Sequence, residues 1–470
     1  MRLHPLLKEI GALFGEAGHQ AFLVGGAVRD LLRGKAAKDW DIATDARPEE
    51  VMRIFRSRRF PVIPTGIKHG TVTVLYKGNS VEVTTFRTES DYADGRHPEK
   101  LEFAGTIEED LSRRDFTINA IAISLSASRL ITDPYGGEAD IRAGVIRCVG
   151  EAAERFGEDG LRPLRALRFS AQLGFSIEEK TLAAIPGALG VTAKVSAERI
   201  RDELDKIILS ERPSRAFLPM LQTGMMQLIL PELAACDGIE QKGYHRFDVL
   251  QHSLLACDYA AQKGFSFEVR MSALLHDIGK PDCRALTPPP APPAGGGENK
   301  ADGEYYTFYR HEEKSAKMTD ALMRRLRYPN ALRENVAHLV ACHMFHYTDD
   351  WGDAAVRRFV QRVGAENLDA LYQLRLCDTY GMAAVEPAPE SLLPLMRRVE
   401  AVLEKGRALS IKDLAINGRD LMALGIPAGK QIGIVLGQLL EAVMEDPEQN
   451  NREKLLEIAN NVSPAITGGV

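Results

Sequence analysis

The first 145 residues combine two spacings of apolar positions, one typical of strands and one of helices. The run AFLV at 21–24 is apolar throughout, as in a buried strand, whereas KDWDIAT at 38–44 alternates with a period of two. TVTVLY and VEVTTFR, at 71–76 and 81–87, are separated by the turn residues KGNS and predict a β-hairpin. Between these strands, ARPEEVMRIFRSR has helical spacing, with Pro48 in the first turn. The mixture predicts an α+β domain.

The rest of the chain changes to helical spacing. From Glu211 onward, apolar positions recur as in one helix after another. The segment TPPPAPPAGGGENKADGE, residues 287–304, interrupts this pattern with a composition typical of disorder. We therefore predict a head over 1–145, an all-helical neck over 146–210, an all-helical body over 211–400 with a disordered insertion at about 285–303, and a helical tail over 401–470.

Composition describes an ordinary globular protein of 470 residues, with 45% hydrophobic and 26% charged residues. We predict no transmembrane helix, because no apolar run reaches about 18 residues. The N-terminal MRLHPLLKEIGALF carries charges within its apolar pattern and has no small-residue cleavage site, so we predict a first helix rather than a signal peptide. Six cysteines without a C-x-x-C pair indicate reduced thiols, which predicts a cytoplasmic location.

The overall charge limits how this chain can bind nucleic acid. A formal net charge of -6 and a pI of about 6.1 exclude a bulk polycation. Any RNA binding must therefore come from local basic surfaces. Candidates are the arginines at positions 53, 56, 58 and 59, although a run of charges is more often a solvated face.

The stretch GGAVRDLLRGKAAKDWDIAT carries the first candidate chemistry. Gly25 and Gly26 allow a tight turn that brings backbone amides onto a phosphate, and Arg29 follows on a predicted helix. Asp39 and Asp41 share one face of the next strand, where two carboxylates repel unless a cation lies between them. This predicts a nucleotidyltransferase site with two Mg²⁺ ions roughly 3.5–4 Å apart. The alternative is a turn followed by an amphipathic strand.

Glu82 is a candidate third metal ligand. It shares its strand face with Thr84 and Phe86. If the hairpin lies beside the strand of Asp39 and Asp41, Glu82 is the natural third carboxylate. Strand glutamates are, however, usually exposed to solvent, and this alternative stays open.

The segment EEDLSRRDFTINAIAIS adds positive charge. Arg113 and Arg114 would supply cationic partners for a triphosphate, whose charge exceeds what two metal ions neutralise. Asp115 and Asn119 lie in the same block, and we include Arg114, Asp115 and Asn119 among the nucleotide-binding candidates.

The segment EDGLRPLRALRF carries a candidate base-recognition pair. Asp159 is predicted to cap a helix that bears Arg162 on the same face. Aspartate only accepts and arginine only donates, so together they match the amino group and ring nitrogen of cytosine or adenine and reject uracil and guanine. An ordinary surface ion pair is the alternative. Arg165 and Arg168 continue the basic side of this helix as further nucleotide-binding candidates.

These blocks together resemble one family. GGAVRD with DWDIAT, RRDFTINA, DPYGG, EDGLRPLRALRF and ERIRDEL occur in the order seen in class II CCA-adding tRNA nucleotidyltransferases and their bacterial poly(A) polymerase relatives. The resemblance covers residues 25 to about 204 and implies a head like that of DNA polymerase β, a helical neck, and a helical body and tail that hold tRNA. It implies addition of C, C and A from CTP and ATP, with release of pyrophosphate. It also assigns base selection to Asp159 and Arg162.

Alternatives within the family remain open. These are a poly(A) polymerase and an enzyme that adds only CC or only the final A. The segment PTGIKHGTVTVLY at 64–76 looks like the CCA-adding branch. Members that add only CC lack a flexible loop, whereas DYADGRHP at 91–98 resembles that loop and favours the full CCA product.

Histidines and aspartates gather in the body. A lone histidine on an apolar helix is more often a core residue than a ligand, but HDIGK at 276–280 resembles the ligand pattern of HD-domain phosphohydrolases. The resemblance implies that one divalent metal is held by His252, His276, Asp277 and Asp378, with His311 and His343 as the extra ligands of two-metal versions. Imidazole with carboxylate suits a transition metal better than Mg²⁺.

Two functions from other classes compete with nucleotide addition. One is an HD-type phosphohydrolase that acts on RNA ends or nucleotides. The other is a non-catalytic tRNA-binding protein, which the intact pair Asp39 and Asp41 argues against.

Overall fold

The computed structural model describes residues 3–37, 39–92, 98–241, 245–287, 305–404 and 410–467. The chain divides into two compact units. The first comprises Met1–Ala234 with Arg325–Arg327, and the second comprises Ala235–Arg324 with Tyr328–Val470. Over the described ranges, no helix combines the length and the apolar character that crossing a bilayer requires.

The first unit contains eleven strands in its described part. They are β1 (Ala21–Val24), β2 (Trp40–Thr44), β3 (Val62–Gly66), β4 (Thr71–Tyr76), β5 (Asn79–Thr85), β6 (Arg87–Tyr92), β7 (Pro98–Phe103), β8 (Ala122–Ser124), β9 (Ile131–Thr132), β10 (Val145–Ile146) and β11 (Ser176–Ile177). Seven of them form a mixed sheet in the order β3-β4-β5-β2-β1-β8-β9, in which β2 and β5 are parallel. The predicted α+β head is confirmed.

The helices of the first unit lie before, between and after the strands of this sheet along the chain. They are α1 (Pro5–Glu16), α2 (Gly26–Leu32), α3 (Pro48–Ser57), α4 (Ile107–Ser112), α5 (Gly137–Ala143), α6 (Ala152–Glu158), α7 (Arg162–Leu173), α8 (Glu179–Ala183), α9 (Ile185–Thr192), α10 (Ala197–Ile208), α11 (Ser214–Gln222), α12 (Met225–Ile229) and α13 (Pro231–Ala234), with 3-10 helices at Ile67–His69 and Thr117–Asn119.

Local sequence explains the main elements of the head. All four residues of β1 are buried, as their apolar run predicts. The predicted helix begins at Pro48, whose missing N–H costs nothing in a first turn. The predicted hairpin is confirmed, but its turn is shorter because Asn79 and Ser80 join β5. Phe22 and Phe86 pack in a core between the sheet and α4, with ring centroids 5.9 Å apart.

The second unit is built from helices and one small hairpin. Its elements are α14 (Val249–Gln262), α15 (Phe267–Leu275), α16 (Lys280–Cys283), β12 (Arg284–Thr287), β13 (Tyr305–Phe308), α17 (His311–Arg325), α18 (Asn330–Cys342), α19 (Asp353–Val363), α20 (Leu368–Ala383), α21 (Leu393–Glu404), α22 (Gly418–Ala423), α23 (Lys430–Glu445) and α24 (Arg452–Thr467), with 3-10 helices at Ala365–Asn367, Pro389–Leu392, Ile411–Asp413 and Pro447–Gln449.

Two apolar cores stabilise this unit. The first lies around α14, α15 and α20 and includes Tyr259, Phe359 and Leu371. The second lies between α22, α23 and α24. Arg357 is buried and donates from Nε to the carbonyl of Met444 at 2.7 Å, near the end of α23. Helical spacing therefore predicted most of the body correctly, but the all-helical prediction is wrong at two places: β12 pairs with β13 in the body, and β11 of the predicted neck pairs with β10.

One prediction for this region is wrong at its edge. The disordered insertion was placed at about 285–303, yet residues 285–287 belong to β12, which pairs antiparallel with β13. Backbone hydrogen bonds to β13 outweigh the weak local signal of these residues. The remainder, residues 288–304, lies outside the described residues, as do residues 93–97 of the loop DYADGRHP.

Candidate functional site

A polar cavity of about 790 Å³ lies in the first unit. Eight arginines line it together with Asp39, Asp41, Asp115 and Asp159. The arginines are at positions 29, 87, 113, 114, 162, 165, 168 and 199. Every nucleotide-binding candidate from the sequence is on this wall, so the fold brings together residues spread from Gly25 to Arg168. Such a cavity suits a ligand with several negative charges.

Three predicted metal ligands come from adjacent strands. In the parallel pairing of β2 with β5, Asp41 lies directly beside Glu82, and Asp39 immediately precedes β2. Burial, and then the Glu82 carboxylate, raises the pKa of Asp41 above its usual range; Arg114 opposes this shift and Asp39 adds to it. A half-buried carboxylate that resists ionisation beside two others is stabilised by a cation. The all-oxygen donor set fits Mg²⁺.

Gly25 keeps the backbone close to these carboxylates. Its φ of 69° lies in the left-handed region that favours glycine. A Cβ added here would lie 3.3 Å from Arg114 Nη1 and 3.6 Å from Asp41 Oδ2. A side chain at this position would therefore crowd Arg114 and contact Asp41.

A hydrogen-bonded chain orients two cavity arginines. Arg29 donates from Nη1 to Asn119 Oδ1 at 2.9 Å, and Asn119 donates from Nδ2 to Asp115 Oδ1 at 3.3 Å. Asp115 in turn accepts from Arg165 Nε at 2.8 Å. Burial raises the pKa of Asp115, but Arg165 and neighbouring donors outweigh it and hold the pKa at about 2. Asp115 and Asn119 thus position arginines within the cavity.

Arg113 and Arg114 share one buried partner, Asp110. Arg113 Nη2 lies 2.8 Å from Asp110 Oδ1, and Arg114 Nη2 lies 3.0 Å from Oδ2. Burial opposes ionisation of Asp110, yet the two arginines lower its pKa. No local pattern in the sequence predicts a role for Asp110.

The predicted helix cap at Asp159 is wrong. Helix α7 begins at Arg162 with Leu161 in the capping position, whereas Asp159 follows the end of α6 in an extended conformation. The Asp159 carboxylate accepts the Leu161 N–H at 3.0 Å and lies 3.0 Å from Arg199 Nη2. The two residues after Asp159 form a turn before the helix starts, which places its side chain in the cavity.

Arg162 and Arg168 are held by acids of the neck. Arg162 pairs with Glu158 and donates from Nη2 to the carbonyl of Arg113 at 3.1 Å. Arg168 is buried and pairs with Glu203. Each guanidinium is therefore held by an ion pair while it lines the cavity.

Four polar or charged lining residues were not predicted from the sequence. They are His69, Arg87, Arg199 and Lys206. Arg199 lies in the block ERIRDEL and could have been found there. Arg87, His69 and Lys206 carry no local signal, because only the fold brings them to the cavity.

The six predicted ligands of the second unit converge on one buried point. His252 Nε2 lies 2.9 Å from His276 Nε2 and 3.3 Å from Asp378 Oδ1. Asp277 Oδ2 lies 3.3 Å from His276 Nε2, and Asp277 Oδ1 lies 3.2 Å from His311 Nε2. His343 Nε2 lies 3.8 Å from the same Oδ1. His338 and His346 lie apart from this cluster: His338 bonds the Val363 carbonyl, and His346 is exposed.

Backbone carbonyls fix three of these imidazoles. The Nδ1 atoms of His276, His311 and His343 lie 2.9, 2.9 and 2.7 Å from the carbonyl oxygens of Ala273, Phe308 and Val340. Nδ1 is then the protonated nitrogen, and the lone pair of Nε2 points into the cluster. This is how metal-ligating histidines are usually oriented.

The donor set fits a bound metal. Among the described residues, Asp277 Oδ1 and His311 Nε2 have no hydrogen-bond partner although both are buried. Burial lowers the pKa of His343 to about 3, which keeps it a neutral ligand. Burial also lowers the pKa of His276, but Asp277 and Asp378 raise it to about 10, so positive charge is favoured at this point. Two subsets of the cluster have the spacing of a cation site.

A second cavity, of about 530 Å³, opens beside this cluster. Asp277, His311, His343 and Asp378 line it. So do basic and aromatic side chains that the sequence analysis did not select, namely Lys280, Arg375, Tyr306 and Tyr309. Lys280 Nζ lies 2.6 Å from Asp277 Oδ2, and Arg375 Nη1 lies 3.1 Å from Asp378 Oδ2.

Two carboxylates in an arginine-lined cavity, with a third on the adjoining strand, are typical of a nucleotidyltransferase head. Residues 21–147 match the Poly A polymerase head domain, residues 174–237 match the probable RNA and SrmB- binding site of polymerase A, and residues 307–459 match tRNA nucleotidyltransferase domain 2. The chain is 34% identical to a CCA-adding enzyme of Lactobacillus johnsonii, and the match covers 96% of this chain and 95% of the relative. The chain belongs to the CCA-adding enzyme family, and the predicted family is confirmed.

Further relatives agree. A CCA-adding enzyme of Enterococcus faecalis is 32% identical, with 97% of this chain and 94% of the relative covered. The CCA-adding enzyme of Bacillus stearothermophilus, solved in complex with CTP, superposes with a TM-score of 0.70 at 28% identity, covering 99% of this chain and all of that one. A Thermotoga maritima structure, with a TM-score of 0.55 at 22% identity over 98% of this chain and 97% of that one, shares the fold. The HDIGK segment at 276–280 lies outside the three matched segments.

Proposed function

We propose that the arginine-lined cavity adds C, C and A to the 3′ end of tRNA, using CTP and ATP. The observation that carries this proposal is the Asp41–Glu82 neighbour pair beside a wall of arginines. It combines an all-oxygen cation site with groups that neutralise a triphosphate. The names of the relatives support the same product.

The carboxylates of Asp39, Asp41 and Glu82 would hold two Mg²⁺ ions, which supply activation of the attacking hydroxyl and stabilisation of the leaving oxygen when bound. Arg29 and Arg114 neutralise the triphosphate, and Gly25 and Gly26 let its phosphates approach the backbone. Arg29 is already oriented by Asn119, so little conformational entropy is lost when the nucleotide binds.

Asp159 and Arg162 select the base. Asp159 accepts from the amino group of cytosine or adenine, and Arg162 donates to the adjacent ring nitrogen. Uracil and guanine present the reverse pattern, which would leave buried donors and acceptors unpaired. Arg199 holds the Asp159 carboxylate from one side, which supports a fixed reading geometry.

The predicted regions follow this division of labour. We propose that the head over 1–145 carries the metal site, that the neck over 146–210 carries base selection, and that the body and tail hold tRNA. We also place the protein in the cytoplasm; its six cysteines are free thiols, which supports this location.

The test is incorporation of labelled nucleotides into tRNA that lacks its last three residues. Wild type should add three nucleotides from CTP and ATP and then stop, with UTP and GTP as controls. Asp39→Ala with Asp41→Ala should abolish addition while the protein stays folded. Long A tails would instead indicate a poly(A) polymerase, and a stop after CC would indicate partial addition. No incorporation by folded wild type supplied with Mg²⁺ would refute the proposal.

A second function is favoured by the histidine cluster. We propose that His252, His276, Asp277 and Asp378 hold a transition metal, with His311 and His343 as further ligands, and that the adjoining cavity hydrolyses a phosphate ester. Buried imidazole nitrogens without partners support metal binding. Elemental analysis of protein purified without added metal tests this: a transition metal should be present and lost in His276→Ala with Asp277→Ala. Phosphatase activity that survives this change would contradict the second function.

A further inference from the structure

The carboxylate of Asp110 is almost completely buried at the back of the nucleotide cavity, and no step of nucleotide addition uses it. Its exposed fraction is 1%, yet it is not among the residues that line the cavity. A buried charge is costly unless it is paired, and here both carboxylate oxygens are engaged by arginines that do line the cavity.

We propose that Asp110 is a positioning residue for nucleotide addition, which holds Arg114 in the geometry that receives the triphosphate while its other oxygen binds the neighbouring Arg113. This inference rests on the proposed function, specifically on the role of Arg114 there. Asp110 acts through the Arg114 guanidinium group and does not contact the nucleotide itself.

The two arginines need a shared anion. Arg113 and Arg114 are adjacent in sequence, and their like charges repel each other when both enter one cavity. Asp110 divides its oxygens between them: Oδ1 accepts from Arg113 at 2.8 Å, and Oδ2 accepts from Arg114 at 3.0 Å. An asparagine would offer one acceptor and one donor, so it could satisfy only one of the two arginines.

Helix α4 makes Asp110 a rigid support. Thr106 accepts the Glu109 N–H at 3.4 Å, and Glu109 accepts the Thr106 N–H at 3.2 Å, which closes a capping box at the start of the helix. Ile107 and Leu111 bury the same helix in the head core. The position of the Asp110 carboxylate is therefore set before any nucleotide binds.

The same carboxylate reaches the beginning of strand β6. Arg113 donates from Nε to the carbonyl of Arg87 at 3.1 Å, and the Arg87 N–H lies 3.4 Å from Asp110 Oδ1. Asp110 therefore connects the start of the β6–β7 hairpin with Arg114, which lies beside Gly25 and acts on the charge of Asp41.

The test is a double-mutant cycle between Asp110→Asn and Arg114→Gln. KM is measured for CTP on tRNA without its last three nucleotides and for ATP on tRNA ending in CC. Each single change should raise both KM values by roughly tenfold or more, because the triphosphate is common to the two nucleotides. In the Arg114→Gln background, Asp110→Asn should add little, since the group it positions is already gone.

The matched control is Asp140→Asn. Asp140 is similarly buried and pairs with Arg147, 3.1 Å away, but neither residue lines the cavity. This change should lower thermal stability and leave both KM values unchanged. A purely structural role for Asp110 would give the same result as this control.

The outcomes distinguish a failure of the proposed role of Arg114 from a failure of the positioning role of Asp110. If Arg114→Gln leaves KM unchanged, the proposed role of Arg114 fails. If Arg114→Gln raises KM while Asp110→Asn does not, or acts by the same factor in both backgrounds, the positioning role is overturned. Should Asp110→Asn fail to fold, Asp110→Glu replaces it in the cycle. Its KM increase must also disappear in the Arg114→Gln background, and an additive increase overturns the proposal.

Discussion

The two acidic clusters of this chain hold negative charge in different surroundings, half-buried or exposed in the head and fully buried in the second unit. In the head, Asp41 and Glu82 lie on neighbouring strands beside an open cavity lined by arginines. In the second unit, Asp277 and Asp378 are buried among four imidazoles, and backbone carbonyls hold the Nδ1 atoms of three of them. Oxygen ligands next to an anion-binding wall suit a hard cation that arrives with phosphates. Nitrogen ligands in a closed pocket suit a resident transition metal.

The comparison predicts that the two clusters can be inactivated separately. Asp39→Ala with Asp41→Ala should reduce nucleotide addition at least about 1000-fold and leave the transition metal bound. His276→Ala with Asp277→Ala should remove that metal and retain addition. The measurements are labelled CTP incorporation and elemental analysis on the same preparations. Loss of both properties in either variant would show that the clusters are coupled.

Base selection gives the next largest effect and concerns the nucleotide cavity alone. Asp159→Asn replaces one acceptor oxygen by a donor, so uracil should no longer be rejected. We expect the ratio of kcat/KM for CTP over UTP to fall about 100-fold. Glu154→Gln, which changes an exposed acid of α6, serves as the control and should leave the ratio unchanged. Unaltered discrimination in Asp159→Asn would remove base selection from this residue.

The pH dependence of stability tests Asp115, an acid of the head that is paired with an arginine rather than proposed to bind a cation. Asp115 has a usual pKa of 3.8 and a pKa of about 2 in the folded protein. The lowered value means that its stabilisation is complete above the unfolded pKa and is lost as pH falls from about 4 towards 2. Asp115→Asn should therefore lower the free energy of unfolding at pH 7 by about 2 kcal/mol. Urea unfolding at pH 7 and pH 3 should show this difference shrinking with acid; a constant difference would contradict the assignment.

Substitution of one glycine beside each cluster gives the smallest expected effects. In Gly25→Ala the new methyl group meets Arg114 at a φ of +69°, so addition should fall about tenfold with the metal retained. In Gly381→Ala it would lie 2.8 Å from His252 Nδ1, so metal affinity should fall about tenfold with addition retained. Gly15→Ala meets nothing within 4 Å and is the control. The opposite pattern of losses would reverse the assignment of the two sites.

Local pattern was enough to predict the parts of each site that lie on regular elements. The period of two predicted the strand faces of Asp41 and Glu82. The structure places Glu82 of β5 directly beside Asp41 of β2, as expected if the hairpin lies next to that strand. The six histidine-cluster residues were also predicted, although they come from separate helices, because the HDIGK pattern fixed two of them and implied the others.

Partners far apart in sequence could not be predicted. Asp159 was assigned to a helix cap three residues before Arg162, but its ion-pair partner is Arg199, forty positions away. Nothing near Asp110 indicates that both of its oxygens are used. Such pairings depend on how α10 packs against α7 and how α4 meets the sheet, which are tertiary contacts without a local signature.

The parallel pairing of β2 with β5 has a consequence for the folding of each molecule. Asp41 faces Glu82 only because the two strands meet in one register; a slip by one position would bring Val81 or Val83 beside Asp41 and turn the glutamate to the opposite face of the sheet. The same slip would turn the buried side chains of Val81 and Val83 out of the core. The fraction of molecules that turn over a single nucleotide therefore counts the correctly paired ones, and active-site titration becomes a measure of folding fidelity.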